Sequence, residues 1–462
     1  MSRFVLIAAA VAAIGGSLFG YDTGVISAAI LFIRPAFGLS TTQVELVVSA
    51  VLIGATIGAI TSARLTDTLG RRVILLLAAA SFSVGAIGSA LSPNVVLLVS
   101  SRLVIGLAIG VASYAVPLYI SELAPPSARG WLVSLNQLAI TVGILVSYAV
   151  AYAFSADGAW RWMLGLALVP AVALGIGVAL LPDTPRWLVR DGRVEAARIV
   201  LRRLRHPNDV EPELATIESS LHKQAGGWAQ LVAPSVRPAL VVGIGLAIFQ
   251  QVTGINTVIY YAPTIVQLAG IPSASGAILA TAGIGIVNVV MTLVAMLLID
   301  RLGRRPLLLG GMVVMGVALG ILGLAFRLTG VLDKLAAVSL VSLMVYVGAF
   351  AIGLGPFFWL LLSEIYPLQA RGLAMGVVTT ANWVANLLVS LTFLSLTGAL
   401  GVSTTFWLYG LLTVVALIFV YRLVPETKGR TLEEIQDFWH KHDVVPAQSG
   451  RTAPRHAAYA KC

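Results

Sequence analysis

Cysteine is almost absent. The 462 residues contain one, Cys462, so neither a disulfide framework nor a cysteine-based metal site is available. Charge is also scarce. Asp, Glu, Lys and Arg make up 11% of the chain, against about 25% in soluble domains, which excludes a string of soluble domains. The five histidines, His206, His222, His440, His442 and His456, all fall outside the apolar runs. The sequence has neither an HExxH helix nor a glycine-rich nucleotide loop, so neither metal-assisted hydrolysis nor nucleotide chemistry has its residues. No enzymatic activity, metal or cofactor is expected. What the chain has in abundance is apolar surface: 58% of residues are hydrophobic and the mean hydropathy is +0.94.

The formal net charge is +10. A basic chain invites a nucleic-acid reading, but most of the excess Arg lies in short loops between apolar runs, where the positive-inside rule accounts for it. No nucleic-acid partner is expected; the lipid bilayer is. Twelve apolar runs of about twenty residues or more mark membrane-crossing helices. The run after Arg3 continues past the length of a signal-peptide core, so it is expected to be the first span. The predicted fold class is an all-α membrane protein: a six-helix half over residues 1–181, a linker over 182–237, a second six-helix half over 238–424 and a polar tail over 425–462. In the linker, Val194, Ala197, Ile199, Val200 and Leu204 recur at near-helical spacing among arginines, which predicts short amphipathic helices. The last stretch of the tail, from Pro446 onward, is expected to be disordered. Basic residues cluster on one side: Arg71, Arg72, Arg129, the linker, Arg301, Arg304, Arg305, Arg371 and Arg422. That asymmetry puts both termini in the cytoplasm of a multi-pass protein of the cell (inner) membrane.

An internal repeat divides the chain. Asp67-Thr-Leu-Gly-Arg-Arg72 returns as Asp300-Arg-Leu-Gly-Arg-Arg305. Ser121-Glu-Leu-Ala-Pro-Pro-Ser-Ala-Arg-Gly130 returns as Ser363-Glu-Ile-Tyr-Pro-Leu-Gln-Ala-Arg-Gly372, and Pro182-Asp-Thr-Pro185 as Pro425-Glu-Thr-Lys428. Three motifs in one order mean two homologous halves, the architecture in which the halves rock about a midplane site.

Polar groups inside the runs are few, and each unpaired one is costly in hydrocarbon. Gln250, Gln251 and Asn256 interrupt the seventh run. Continuous helical geometry places Gln251 and Asn256 about 140° apart, a broad wedge rather than a line. Carboxamides donate and accept at once, so the wedge suits a neutral, hydroxyl-rich ligand; it equally suits hydrogen bonds between helices. Asp22 lies in the first run and Arg102 early in the fourth. They can form a permanent ion pair, or one that breaks so that Asp22 takes a proton. Gly353, Gly355 and Pro356 predict a tenth helix bent or discontinuous at Gly355–Pro356, because proline removes a helical hydrogen bond.

The chain resembles the sugar-porter family of the major facilitator superfamily over about residues 15–435. The resemblance rests on GYDTGVIS (20–27), RLVIGLAIG (102–110), PLYISELAP (117–125), PDTPRWL (182–188), QQVTGINTVIYYAP (250–263), GPFFWLLLSEIYP (355–367), PETKGRT (425–431) and the paired DTLGRR and DRLGRR motifs. It implies the major facilitator fold and import of a monosaccharide or polyol. Gln137, Gln250, Gln251, Asn256, Asn288, Trp359 and Asn382 would then contact sugar. Asp22 and Arg102 would couple a proton. Tyr260, Tyr261 and Trp383 would serve as gate or pocket-wall aromatics, with packing the alternative. Asp67, Arg71, Arg72, Glu122, Arg129, Asp183, Arg186, Arg304, Arg305, Glu364, Arg371 and Glu426 would form inter-span salt bridges that latch the cytoplasmic side; orientation and solvation are the plainer alternative. Symport is the expectation, by a protein functional as a monomer. Passive uniport and a non-transporting membrane sugar sensor are its rivals.

Overall fold

Twelve helices in the computed structural model are long and apolar enough to cross a membrane. The structure describes residues 3–125, 128–222, 231, 233, 236–328, 334–366 and 370–428, apart from the side chains of Ser220, His222, Asp300, Ser363, Glu364 and Arg371. The expectations for Glu364 and Arg371 as ion-pair partners, and for most of the tail, lie outside the described residues.

The spans run Arg3–Phe37, Thr41–Leu69, Arg71–Ala90, Val95–Leu123, Arg129–Ala153, Trp160–Ala179, Arg237–Leu268, Ala274–Ile299, Arg304–Arg327, Leu335–Leu362, Gly372–Leu400 and Val402–Leu423. The protein is a multi-pass membrane protein. Large apolar side chains stay exposed along the spans, among them Ile176, Val96 and Leu297, as a hydrocarbon solvent permits. Short polar side chains set several helix starts. Ser40 and Gln43 form a reciprocal capping box at the second span, and Asn94 and Ser273 cap the fourth and eighth.

The repeat is visible as matched geometry. Gly70 and Gly303 each sit at φ +91° between two spans, a backbone region L side chains rarely adopt. A Cβ on Gly70 would lie 2.4 Å from an Asp183 oxygen, and one on Gly303 would lie 2.8 Å from a Glu426 oxygen. Glycine there meets both requirements at once. Within the first half the second and fourth spans touch through backbone: a Cβ on Gly54 would lie 2.1 Å from the Leu103 carbonyl oxygen, and one on Gly106 2.0 Å from that of Val51. This is close packing by small residues, which substitutes in lipid for the hydrophobic drive of water-soluble cores. The halves meet where the second span packs along the eleventh, the fifth along the eighth, and the first along the second part of the seventh.

Two spans beside the cavity are broken. The tenth divides into Leu335–Ile352 and Leu354–Ile365 at Gly353. The expected break at Gly355–Pro356 thus occurs about half a turn earlier. Pro356 has no N–H for the carbonyl four residues back, that of Ile352, so the lost bond opens the helix upstream of the ring. The seventh span divides into Arg237–Val252 and Ile255–Leu268 about Gly254, at φ +93°. That break was not read from the sequence, and it overturns the wedge angle, which assumed one continuous helix.

The described part of the linker includes the α-helices Pro185–Arg190, Val194–Leu204 and Val210–His222. In the second, Ala197, Val200, Leu201 and Leu204 are buried while Ile199 is exposed. Ile199 therefore does not share the packed face assigned to it. The linker defines one end of the bundle; the connection between the first two spans lies at the far end.

Candidate functional site

The break in the seventh span gathers the carboxamides. Gln250 and Gln251 end its first part and Asn256 begins the second, so their side chains converge instead of fanning out. Asn256 Nδ2 donates to Gln251 Oε1 at 2.7 Å. Gln251 Nε2 reaches both Gln250 Oε1 at 3.3 Å and Asn382 Oδ1, from the eleventh span, at 3.1 Å. Asn382 Nδ2 donates to Gln250 Oε1 at 2.8 Å and to the Ala247 carbonyl at 3.1 Å. The network also stitches the two breaks together. Gln250 Nε2 donates to the Leu354 carbonyl at the opening of the tenth span, and Tyr346 of the tenth span donates its hydroxyl to the Thr253 carbonyl at the opening of the seventh. Each side chain thus satisfies a carbonyl at the other helix's break.

The network forms one wall of a cavity between the halves, with an empty volume of about 1010 Å³ that includes open solvent. Gln137, Gln250, Gln251, Asn256, Asn288, Trp359 and Asn382 all line it, as does Trp383. The buried Trp383 Nε1 has no hydrogen-bond partner, and its ring meets Phe19 edge-on at 5.3 Å across the halves. The first half supplies Phe19, Ile109, Ile140 and Ile144. That side also carries Asn136 and Gln137, but most of the carboxamides come from the second half. Such a surface can bond hydroxyls in plane and stack an apolar ring face.

Sequence reasoning missed Thr23, Ser113, Asn136, Thr141 and Asn386, which also line the cavity. Asn136 and Asn386 sit beside Gln137 and Asn382 in the sequence, and an extra carboxamide in an apolar run was the available signal. Tyr260 and Tyr261 are not on the wall. Both are fully buried. Tyr261 donates to the Ser390 carbonyl at 3.3 Å and packs on Phe393. In this structure they pack.

Asp22 and Arg102 lie behind the wall. Arg102 is completely buried and binds Asp22 through both Nη atoms, each at 3.2 Å. Its Nε donates to the Val47 carbonyl of the second span at 2.8 Å. The pair joins the first span to the fourth, and the neighbouring Thr23 faces the cavity.

At the linker end, Arg71 binds Glu122 through Nε at 3.0 Å and Nη2 at 2.9 Å, and reaches Asp67 at 3.4 Å. Thr184 donates to the same Glu122. The partner of Asp67 from the linker is Arg190, at 2.7 Å, rather than Arg186. Asp183 and Glu426 make backbone anchors rather than side-chain salt bridges. Asp183 accepts from the amides of Arg71, Arg72 and Thr184, and Glu426 from those of Arg304, Arg305 and Lys428. Each therefore sits at a helix N-terminus, where the dipole favours an anion. Arg72 and Arg305 fold back onto carbonyls of the sixth and twelfth spans, those of Ala179 and Tyr421. Burial raises the Asp183 carboxyl against its backbone donors. Burial also opposes ionisation at Glu426, but its backbone donors win and hold that carboxyl below the usual carboxylate range. Arg129 is exposed. The ion pairs here between described residues stay within the first half and the linker.

A polar cavity enclosed by two repeated six-span halves, with a buried ion pair behind it, defines a membrane transporter of the major facilitator type. The chain belongs to the family described as sugar (and other) transporter, whose model matches residues 8–439. It is 44% identical over 427 residues to a D-xylose transporter of Levilactobacillus brevis, covering 92% of this chain and 93% of that one. To the galactose-proton symporter of Escherichia coli K12 it is 42% identical over 427 residues, covering 92% of each. Its fold matches the partially occluded inward open conformation of the xylose transporter XylE from E. coli. That match has a TM-score of 0.82 at 33% identity and covers 93% of this chain and 100% of that one.

Proposed function

We propose that the protein imports a monosaccharide or polyol together with a proton by alternating access, in a cell membrane with both termini cytoplasmic, working as a monomer. The observation that carries the proton is the bidentate Asp22–Arg102 pair, buried behind the carboxamide-lined cavity. A buried carboxylate is tolerable while its cation is near; when the spans shift, it takes a proton rather than remain charged in a low dielectric. The carboxamide wall supports hydroxyl recognition, and the symport activity named for relatives such as the galactose-proton symporter agrees with this reading. Sugar enters from the far end, binds mainly to Gln250, Gln251, Asn256, Asn288, Asn382 and Trp359 of the second half, and leaves at the linker end with the proton from Asp22. Discrimination among hexoses, pentoses and polyols rests on the position of single hydroxyls against carboxamides that serve all of them.

The test is uptake of labelled hexoses and pentoses by a transport-deficient host. Wild-type accumulation should collapse with a protonophore. Asp22→Asn should lose uphill accumulation by about tenfold or more, since a 1.4 kcal/mol loss of driving force is tenfold, while still exchanging sugar down its gradient. Uptake that only equilibrates sugar across the membrane and is indifferent to both protonophore and substitution would establish passive uniport instead.

A further inference from the structure

One buried carboxylate takes no part in the proposed mechanism. Glu45 lies near the start of the second span, at the far end, and is 2% exposed. No Lys, Arg or His of the described residues comes within ion-pair distance of it. Its partners come instead from the other half of the molecule, 350 residues away. Ser395 of the eleventh span donates its backbone amide to Oε1 at 2.8 Å and its hydroxyl to Oε2 at 2.7 Å. An amide inside a helix is ordinarily committed to the carbonyl four residues back; here it also serves a carboxylate across the interface. Two further hydrogen bonds between described residues cross the halves towards the same end. Ser155 Oγ donates to Ser275 Oγ at 2.8 Å, and the Tyr148 hydroxyl donates to the Ile259 carbonyl at 3.4 Å.

We propose that Glu45 is a positioning residue of the transport cycle: with Ser395 it latches the far end of the two halves shut, and so sets how often the cavity opens on that side. A carboxylate removed from water without a cation is costly unless hydrogen bonds replace its hydration. Both replacements are charge-assisted, and both exist only while the second and eleventh spans are together. When the halves part, Glu45 and Ser395 exchange each other for water. The latch is therefore conditional on closure, unlike the Asp183 and Glu426 anchors, which lie within single halves and survive any rigid rocking. Ser40 and Gln43 fix the helix start just before Glu45, so the carboxylate is presented from a rigid end rather than from a loop.

The proposal rests on the alternating-access reading, and the experiment separates the two. Cys462→Ser removes the one native thiol. Ile144→Cys, on the cavity wall, then reports opening to a membrane-impermeant maleimide applied to the far-end face. In Glu45→Ala the labelling rate should rise about tenfold, the change expected on losing a charge-assisted hydrogen bond. Ser395→Ala, which keeps the amide donor, should raise it less, and the double variant should label no faster than Glu45→Ala because both substitutions break one contact. In the Cys462→Ser background without the reporter, Glu45→Ala should lower the KM for sugar offered at the far end and lower the maximal rate, a split that mere loss of folding does not produce. Unchanged labelling in both single variants of a parent that transports, or additive rates in the double variant, overturns the latch. A Cys462→Ser protein without the reporter that neither accumulates nor exchanges sugar overturns the transport reading on which the latch rests.

Discussion

The Gln250 carboxamide serves three helices at once. Its nitrogen holds the Leu354 carbonyl at the break in the tenth span, and its oxygen receives Gln251 and Asn382. A sugar hydroxyl arriving in the cavity must share or replace one of these bonds, so ligand binding acts directly on the geometry of both breaks. Gln250→Leu should therefore do more than remove one contact. It leaves the Asn382 amide short of an acceptor and the Leu354 carbonyl short of a donor, each costing about 1–3 kcal/mol when buried. The apparent affinity for sugar should fall by about tenfold or more, measured from the concentration dependence of uptake, with surface expression as the control for folding. Gln250, Gln251 and Asn256 were legible in the sequence, because carboxamides that interrupt an apolar run stand out; Asn382 came only from the family resemblance. Their mutual arrangement was not, because it depends on a single left-handed glycine, Gly254, whose Cβ would meet the Tyr409 ring at 2.6 Å. Sequence spacing converts to an angle only if the helix continues.

At the scale of elements, the tenth span is interrupted at Gly353, three residues before Pro356. Proline in a helix interior costs about 3 kcal/mol, and here it leaves the Ile352 carbonyl without its regular donor. Pro356→Ala restores that donor. The expected outcome is a more continuous tenth span, a higher melting temperature in detergent and a slower cycle, with equilibrium sugar binding retained. Binding measured at equilibrium, set against the rate of counterflow, checks it; an unchanged counterflow rate would mean that the break is not a hinge. The proline made this element's weakness readable in advance, to within half a turn. The seventh span carried no comparable mark, since Gly254 is one of 45 glycines and nothing local distinguishes it. The ion pairs show the same limit. Arg186 and Arg190 are equally basic on paper, and the fold of the linker alone gives Arg190 to Asp67. Glu45 and Ser395 stand 350 residues apart, beyond any local pattern.

Across the whole molecule, the repeat makes each half rigid at the linker end by the same device. A carboxylate just past the sixth or twelfth span caps the N-terminus of the third or ninth, and an arginine from that N-terminus returns to the carbonyls of the sixth or twelfth. Rocking of two rigid bodies requires such internal anchors, because a half that deforms would dissipate the motion instead of transmitting it to the cavity. The two anchors differ in their response to protons. The Glu426 carboxyl is held below the ordinary carboxylate range by backbone donors, so its stabilisation is fully present above the carboxylate's unfolded pKa. That stabilisation is lost as pH falls through the lowered folded value. Asp183 is raised by burial, so its contribution has the opposite sign, persisting at low pH and declining as pH rises through the folded value. Glu426→Gln should accordingly destabilise the protein at neutral pH by no more than about 1 kcal/mol, because solvent screens a partly buried carboxylate, and its difference from wild type should shrink on acidification. Asp183→Asn should show no such closing of the gap. Thermal unfolding of the two variants and wild type across a pH series reads both slopes. Parallel curves for Glu426→Gln and wild type would mean that this carboxylate caps the ninth span without titrating against the fold.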